Sequence, residues 1–101
     1  MKAQDDVERF KSARDFGRAL GLSELDMQMI RQKKRLMEKL REARIRKGIS
    51  QAALAKRVAS KQPAIARMES GQVGEVSMDF LLRVALALGV SVTIRPMKEA
   101  A

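Results

Sequence analysis

Between Ser23 and Gly48 stand nine Lys or Arg: Arg31, Lys33, Lys34, Arg35, Lys39, Arg41, Arg44, Arg46 and Lys47. Only four acids, Glu24, Asp26, Glu38 and Glu42, oppose them. Cationic side chains at this density neutralise a polyanion, and that is the chemistry this stretch can do. The chain holds no His and no Cys. The commonest general base, the strongest side-chain nucleophile and the usual zinc ligands are therefore missing. No catalytic residue, metal site, cofactor or disulfide is expected, and the protein is not expected to be an enzyme.

The formal net charge of the whole chain is +9, of which the basic stretch supplies about five. Such an excess suits nucleic acid or an acidic membrane surface. No apolar run approaches the length of a membrane span or a secretory leader. A cytoplasmic, nucleoid-associated protein with no membrane partner is the expectation. Part of the charge is simply helix surface, since Glu42 and Arg46 stand four residues apart in the favourable order. About half of the nine cations should face a polyanion, because phosphate-contacting groups must share one side.

These side chains need a scaffold, and the sequence punctuates one clearly. At 101 residues with 46% hydrophobic content, the chain is long and apolar enough for one small core. Gln4 to Leu20 is weakly periodic, with Val7, Phe10, Ala13 and Phe16 as a stripe that Gly17 breaks; a short or fraying helix is predicted. Ser23-Glu24-Leu25-Asp26 has capping-box spacing, and Leu25, Met29, Leu36 and Leu40 then fall on one helical face, with Gly48 closing the helix after Lys47. Met27, Met29, Met37 and Met68 are expected as core filling. Ser50 caps a helix from Gln51 to Val58 that buries Leu54, Ala55 and Val58. A turn at Ala59-Ser60-Lys61 leads to a second short helix, Pro63 to Ser70, whose start is left open among Ser60, Lys61 and Gln62 by the proline. Ser77 caps a last apolar helix carrying Phe80, Leu81, Val84, Ala85 and Leu88, which Gly89 stops. Val90-Ser91-Val92-Thr93-Ile94-Arg95 then alternates apolar and polar, a strand signature. A lone strand needs a partner for its backbone, and a second copy of the chain is the economical one.

Two short helices joined by a tight turn, the second presenting polar side chains, can lay that second helix in the major groove. Ile49-Ser50-Gln51-Ala52-Ala53-Leu54-Ala55-Lys56-Arg57-Val58 followed by Gln62-Pro63-Ala64-Ile65-Ala66-Arg67-Met68-Glu69-Ser70-Gly71 resembles the Xre/Cro–cI helix-turn-helix family, over about Leu36 to Val90. The resemblance implies an all-α, lambda-repressor-like fold of about five helices. It gives Ser50 and Gln51 a role at the DNA backbone, or for Gln51 at a neighbouring base contact. It also implies base reading by Lys61, Gln62 and Ala64, with Arg67 one turn further on. Those types suit the task, since Gln pairs with adenine, Arg or Lys with guanine, and Ala with the thymine methyl. The same resemblance pairs Glu69 with Arg44 as a structural ion pair. Arg41, Arg46, Lys47, Lys56 and Arg57 are the cations expected at phosphates. The turn departs from the family pattern of Gly followed by an aliphatic residue: Ala59 must take a strained backbone, and Ser60 gives up an apolar plug unless it caps the second helix.

A wider pattern joins Phe16-Gly17-Arg18-Ala19-Leu20-Gly21-Leu22 to Leu88-Gly89-Val90 and the terminal strand. It is similar to the Xre-type antitoxins paired with RelE-superfamily toxins, and implies an autoregulating repressor that also binds a toxin outside the motif. The organisation expected is an N-terminal extension at 1–22, a DNA-binding domain at 23–89 and a dimerising tail at 90–101. Val90, Val92 and Ile94 would form the dimer strand, and the partners would be a palindromic operator, a second copy and a RelE-superfamily toxin. A stand-alone Xre-type regulator without a toxin and a helix-turn-helix used as a protein-binding adaptor are the alternatives.

Overall fold

The computed structural model describes residues 12–98, which divide into two compact units, one up to Lys34 and one from Arg35 onward. The elements in order are α1 (Ala13–Ala19), α2 (Glu24–Arg46), α3 (Gln51–Arg57), α4 (Gln62–Glu69), a 3-10 turn (Val73–Glu75) and α5 (Met78–Ala87). α2 contributes its first part to one unit and its remainder to the other. The predicted contacts of Val7 and Phe10 lie outside the described residues.

In the N-terminal unit, Ser12 starts α1 by accepting a hydrogen bond at Oγ from the Asp15 N–H. Gly17 sits inside this helix and is buried, which corrects its expected role as a breaker. Its use is close approach: a Cβ there would stand 2.4 Å from the Met27 sulfur. Ser23 and Asp26 form the capping box that starts α2, each side chain accepting from the other's backbone N–H. Leu25 and Met29 were expected on the core face, but they are 74% and 61% exposed while Met27 is buried. Met27 lies two residues from either, hence nearly opposite on the helix, and it is this side that meets Gly17.

In the second unit, Met37, Leu40 and Ala43 of α2 pack with Leu54, Ala55 and Val58 around α3, Ile65 and Met68 of α4, and Leu81, Val84, Ala85 and Leu88 around α5. Val76 closes the loop over this core, and Leu36, Ile49 and Phe80 lie at its margin. The serine caps at Ser50 and Ser77 accept from the N–H groups of Ala53 and Phe80. α3 ends one residue earlier than predicted, and α4 starts at Gln62 with Lys61 as its uncapped N-cap, so Ser60 does not cap it.

Each of the five α-helices among the described residues ends in the same paired-bond turn, in which the next two backbone N–H groups reach back to the last carbonyls. Four of these turns place Gly21, Gly48, Gly71 or Gly89 in the left-handed region; the one between α3 and α4 places Ala59 there, at φ 55°. The strain expected at Ala59 is thus present, and bonds from Ala59 N–H to the Lys56 carbonyl and from Ser60 N–H to the Ala55 carbonyl hold it.

No strand occurs among the described residues, so the predicted strand at Val90–Arg95 does not form within one chain. Val90 packs at the core margin and its N–H closes the α5 turn on the Ala85 carbonyl. Val92 and Ile94 are exposed, Ile94 at 97%. Edge pairing needs a second strand, and the described chain offers none. No helix among the described residues is long and apolar enough to cross a membrane.

Candidate nucleic-acid interface

The site is built on α3 and α4, which pack on each other and are held from behind by α2. α4 is amphipathic: Ile65 and Met68 are buried, while Lys61, Gln62 and Arg67 are exposed and Ala64 is half-buried between them. Lys61 has an extended backbone just ahead of the first turn, Gln62 is the first helical residue, and Pro63 follows where its missing N–H leaves no helical bond unmade. At the far end the Ser70 hydroxyl donates to the Arg67 carbonyl and the Gln72 amide donates to Ser70, tying off the helix. The sequence therefore places these side chains along one face of a short helix whose other side is fixed in the core.

Behind this surface lies Glu69, with only 4% of its side chain exposed. Arg44 meets it in bidentate fashion, Nε to Oε2 at 2.5 Å and Nη2 to Oε1 at 2.9 Å. The third arm of Arg44 donates to the Ile49 carbonyl at 2.7 Å, and the Ile49 N–H returns to the Arg44 carbonyl. The guanidinium thus fixes α4 and the α2–α3 turn together. Burial pushes the Glu69 carboxyl up, but hydrogen bonds from Arg44 and Gln51 and the charges of Arg44 and Arg41 outweigh it, and the group lies below its ordinary value. The Arg44 guanidinium is raised, chiefly by its hydrogen bond to Glu69.

Glu69 has more partners than the one the resemblance implied. Gln51 donates through Nε2 to Glu69 Oε1 at 3.0 Å, and Gln62 donates through Nε2 to Gln51 Oε1 at 3.3 Å. Arg41, mostly exposed, places Nε 3.8 Å from Glu69 Oε1. A buried carboxylate can accept about four hydrogen bonds, so one arginine leaves capacity over. That was the available sequence signal. Which residues fill the capacity is a matter of tertiary approach, across 18 positions for Gln51.

The Ser50 oxygen is engaged as the α3 cap, which leaves its O–H to donate outward. Gln51 is half-buried beside it. Arg46 at the end of α2, Lys47 just beyond it, and Lys56 and Arg57 in the last turn of α3 are all exposed. The structure brings Arg41, Gln51 and Gln62 into one cluster around Glu69; no contact ties Arg46, Lys47, Lys56 or Arg57 to it. No group of three or more His, Cys, Asp or Glu among the described residues could hold a metal ion.

Residues 40–94, more than half of the chain, match a family model described as helix-turn-helix. No curated protein and no solved structure matches the chain.

Proposed function

The chain belongs to the helix-turn-helix family of DNA-binding transcription regulators, and from that premise we propose that it is a repressor reading a palindromic operator as a homodimer. The observation that carries this reading is the outer face of α4. It holds Lys61, Gln62, Ala64 and Arg67 outward on a helix whose back is fixed by the core and by the Arg44–Glu69 pair. In the bound state these four side chains meet base edges in the major groove. Ser50, Gln51, Arg41, Arg46, Lys47, Lys56 and Arg57 meet phosphates, which sets register without reading sequence. Two copies with their reading helices about 34 Å apart contact successive turns of one groove.

The finer reading is an autoregulating antitoxin of a type II toxin–antitoxin pair, with a RelE-superfamily toxin as partner. What supports it is the wider sequence pattern, together with exposed Leu20, Leu25 and Met29 in the N-terminal unit, outside the matched residues. Large apolar side chains in one small unit suit coverage by a partner protein. Co-purification of a small basic protein encoded beside this one tests that reading; a chain recovered alone after co-expression with its neighbour sinks it and leaves a stand-alone regulator.

The repressor reading is tested by binding to the chain's own upstream DNA and to a scrambled duplex over a salt series. Specific readout gives a preference of about a thousandfold near physiological salt, and Gln62→Ala and Arg67→Ala each lose about 1–3 kcal/mol at particular base pairs. Equal, salt-sensitive binding to both duplexes would reduce the interaction to net charge and overturn the assignment of α4.

A further inference from the structure

α5 carries two apolar rows. Leu81, Val84, Ala85 and Leu88 face the core and are buried. Met78, Leu82 and Leu86 stand four apart, so they line up along the helix, and all three are exposed, Leu86 at 77%. At about 100° per residue Leu82 lies about 60° from buried Ala85, so the exposed row borders the core face. The tail shows the same mismatch between residue type and setting. Val90 packs at the core margin. In a strand the side chains alternate, so Val92 and Ile94 would take the side of Val90, yet both are exposed. A strand would also put Ile94 about 13 Å beyond Val90. At 97% exposure it rests on almost nothing in its own chain.

Resting on the homodimer of the proposed function, we infer that the Met78, Leu82 and Leu86 row of each copy is the seat of the second copy's tail, with Val92 and Ile94 packed on it. Two paired strands alone are marginal in water and hold when one of their faces lies on a helix. The ribbon of two tails therefore needs an apolar floor. The chain holds both halves of that contact, the row on α5 and the alternating tail, each unpartnered in a single copy. A twofold axis satisfies both at once, because one surface patch on each copy then meets its complement on the other. The row also adjoins the side that Val90 already takes at the core margin, so the floor continues an existing apolar surface. α5 and the reading helix α4 share one core, so a tail held on α5 also sets the spacing of the two reading helices without touching DNA.

The test is the dimer dissociation constant of the full-length protein by sedimentation equilibrium, for the wild type, Leu82→Gln with Leu86→Gln, Ile94→Gln, and all three changes together. Glutamine suits a helix, and Ile94 lies outside every helix, so circular dichroism should show the fold kept in each. The α5 variant and the tail variant should each raise the dissociation constant by about fivefold or more. Because the two sites touch, the combined variant should fall short of the product of the separate effects by about threefold or more. Met97→Gln, at an exposed position beyond Pro96, should stay within about twofold of wild type. An α5 variant within about twofold of wild type overturns the inference, and so do separate effects that simply multiply. Either result leaves the homodimer standing. A wild type that sediments as a monomer at every concentration overturns the inference and the homodimer together.

Discussion

The α3–α4 corner and the tail from Ser91 to Lys98 both carry a definite side-chain pattern, and they meet opposite fates. At the corner, every buried side-chain polar atom has a partner within the chain, and the Glu69 carboxylate alone engages Arg44, Gln51 and Arg41. In the tail, alternating Val92 and Ile94 face solvent and no backbone ladder forms. The corner is closed by contacts that the same chain supplies a few turns away. The tail's pattern describes a half-buried strand, and a strand's bonding groups lie on its edges, where only another strand can meet them. A helix satisfies its own backbone; a strand does not. One region is therefore closed by contacts within a single chain, and the other forms no backbone ladder among the described residues.

Breaking the corner should have the largest effect. Glu69→Ala strands the Arg44 guanidinium, itself only 13% exposed, and also frees Gln51. The expected loss is about 3 kcal/mol of unfolding free energy, at the low end for an orphaned buried charge because Arg44 can turn partway to water. Urea unfolding at neutral pH measures it; a change under about 0.5 kcal/mol would mean the pair holds nothing in place. The pH dependence has a definite sign. The folded-state pKa of Glu69 is depressed. Its contribution is thus fully present above the unfolded carboxylate value of about 4.3 and is lost as pH falls through the lower folded value. The gap between wild type and Glu69→Gln should close under acid, below about pH 4.

The turn inside the corner gives a smaller effect of opposite sign. Ala59 occupies a left-handed position that glycine holds at the other four helix ends among the described residues. Relieving its Cβ gains about 1–2 kcal/mol, against about 0.5–1 kcal/mol for the added freedom of an unfolded glycine. Ala59→Gly should therefore stabilise the fold by about 0.5–1 kcal/mol. A melting temperature that falls would show that the two backbone bonds at this turn hold Ala59 without strain.

Which parts were legible follows the same division. Serine caps at Ser50 and Ser77, the glycine stops and the buried faces of α3, α4 and α5 are decided within a turn or two of helix, so spacing reveals them. The Arg44–Glu69 pair was reachable only through family resemblance, because nothing local links positions 25 apart. Gln51 as a bridge was not legible, since its direction depends on a carboxylate brought in by α4. Hydrophobic spacing points to the wrong side of the first part of α2 for a related reason. Leu25 and Met29 share a face with Leu36 and Leu40 in the sequence, but Gly17 opens room beside Met27. A missing side chain on a neighbour decided the packing, and hydrophobic spacing carries no trace of that.

The tail supplies the mildest perturbation of the fold and the sharpest test of the contrast. Removing residues 91–101 leaves Val90 in place, with its core contacts and its bond to the Ala85 carbonyl. Residues 91–98 are exposed throughout, so the unfolding free energy of the single chain should move by no more than about 0.5 kcal/mol. Oligomeric state should respond differently. If the alternating tail pairs across a twofold axis, sedimentation of the truncated protein will show monomers while its helical circular dichroism persists, and operator affinity will fall as the second half-site is lost. A truncated protein that remains dimeric moves the interface to helical surface, where the exposed stripe Met78, Leu82 and Leu86 on α5 is the next place to substitute. A large loss of stability on truncation would be the more damaging result. It would mean that the corner is not self-sufficient and that tail and core fold as one.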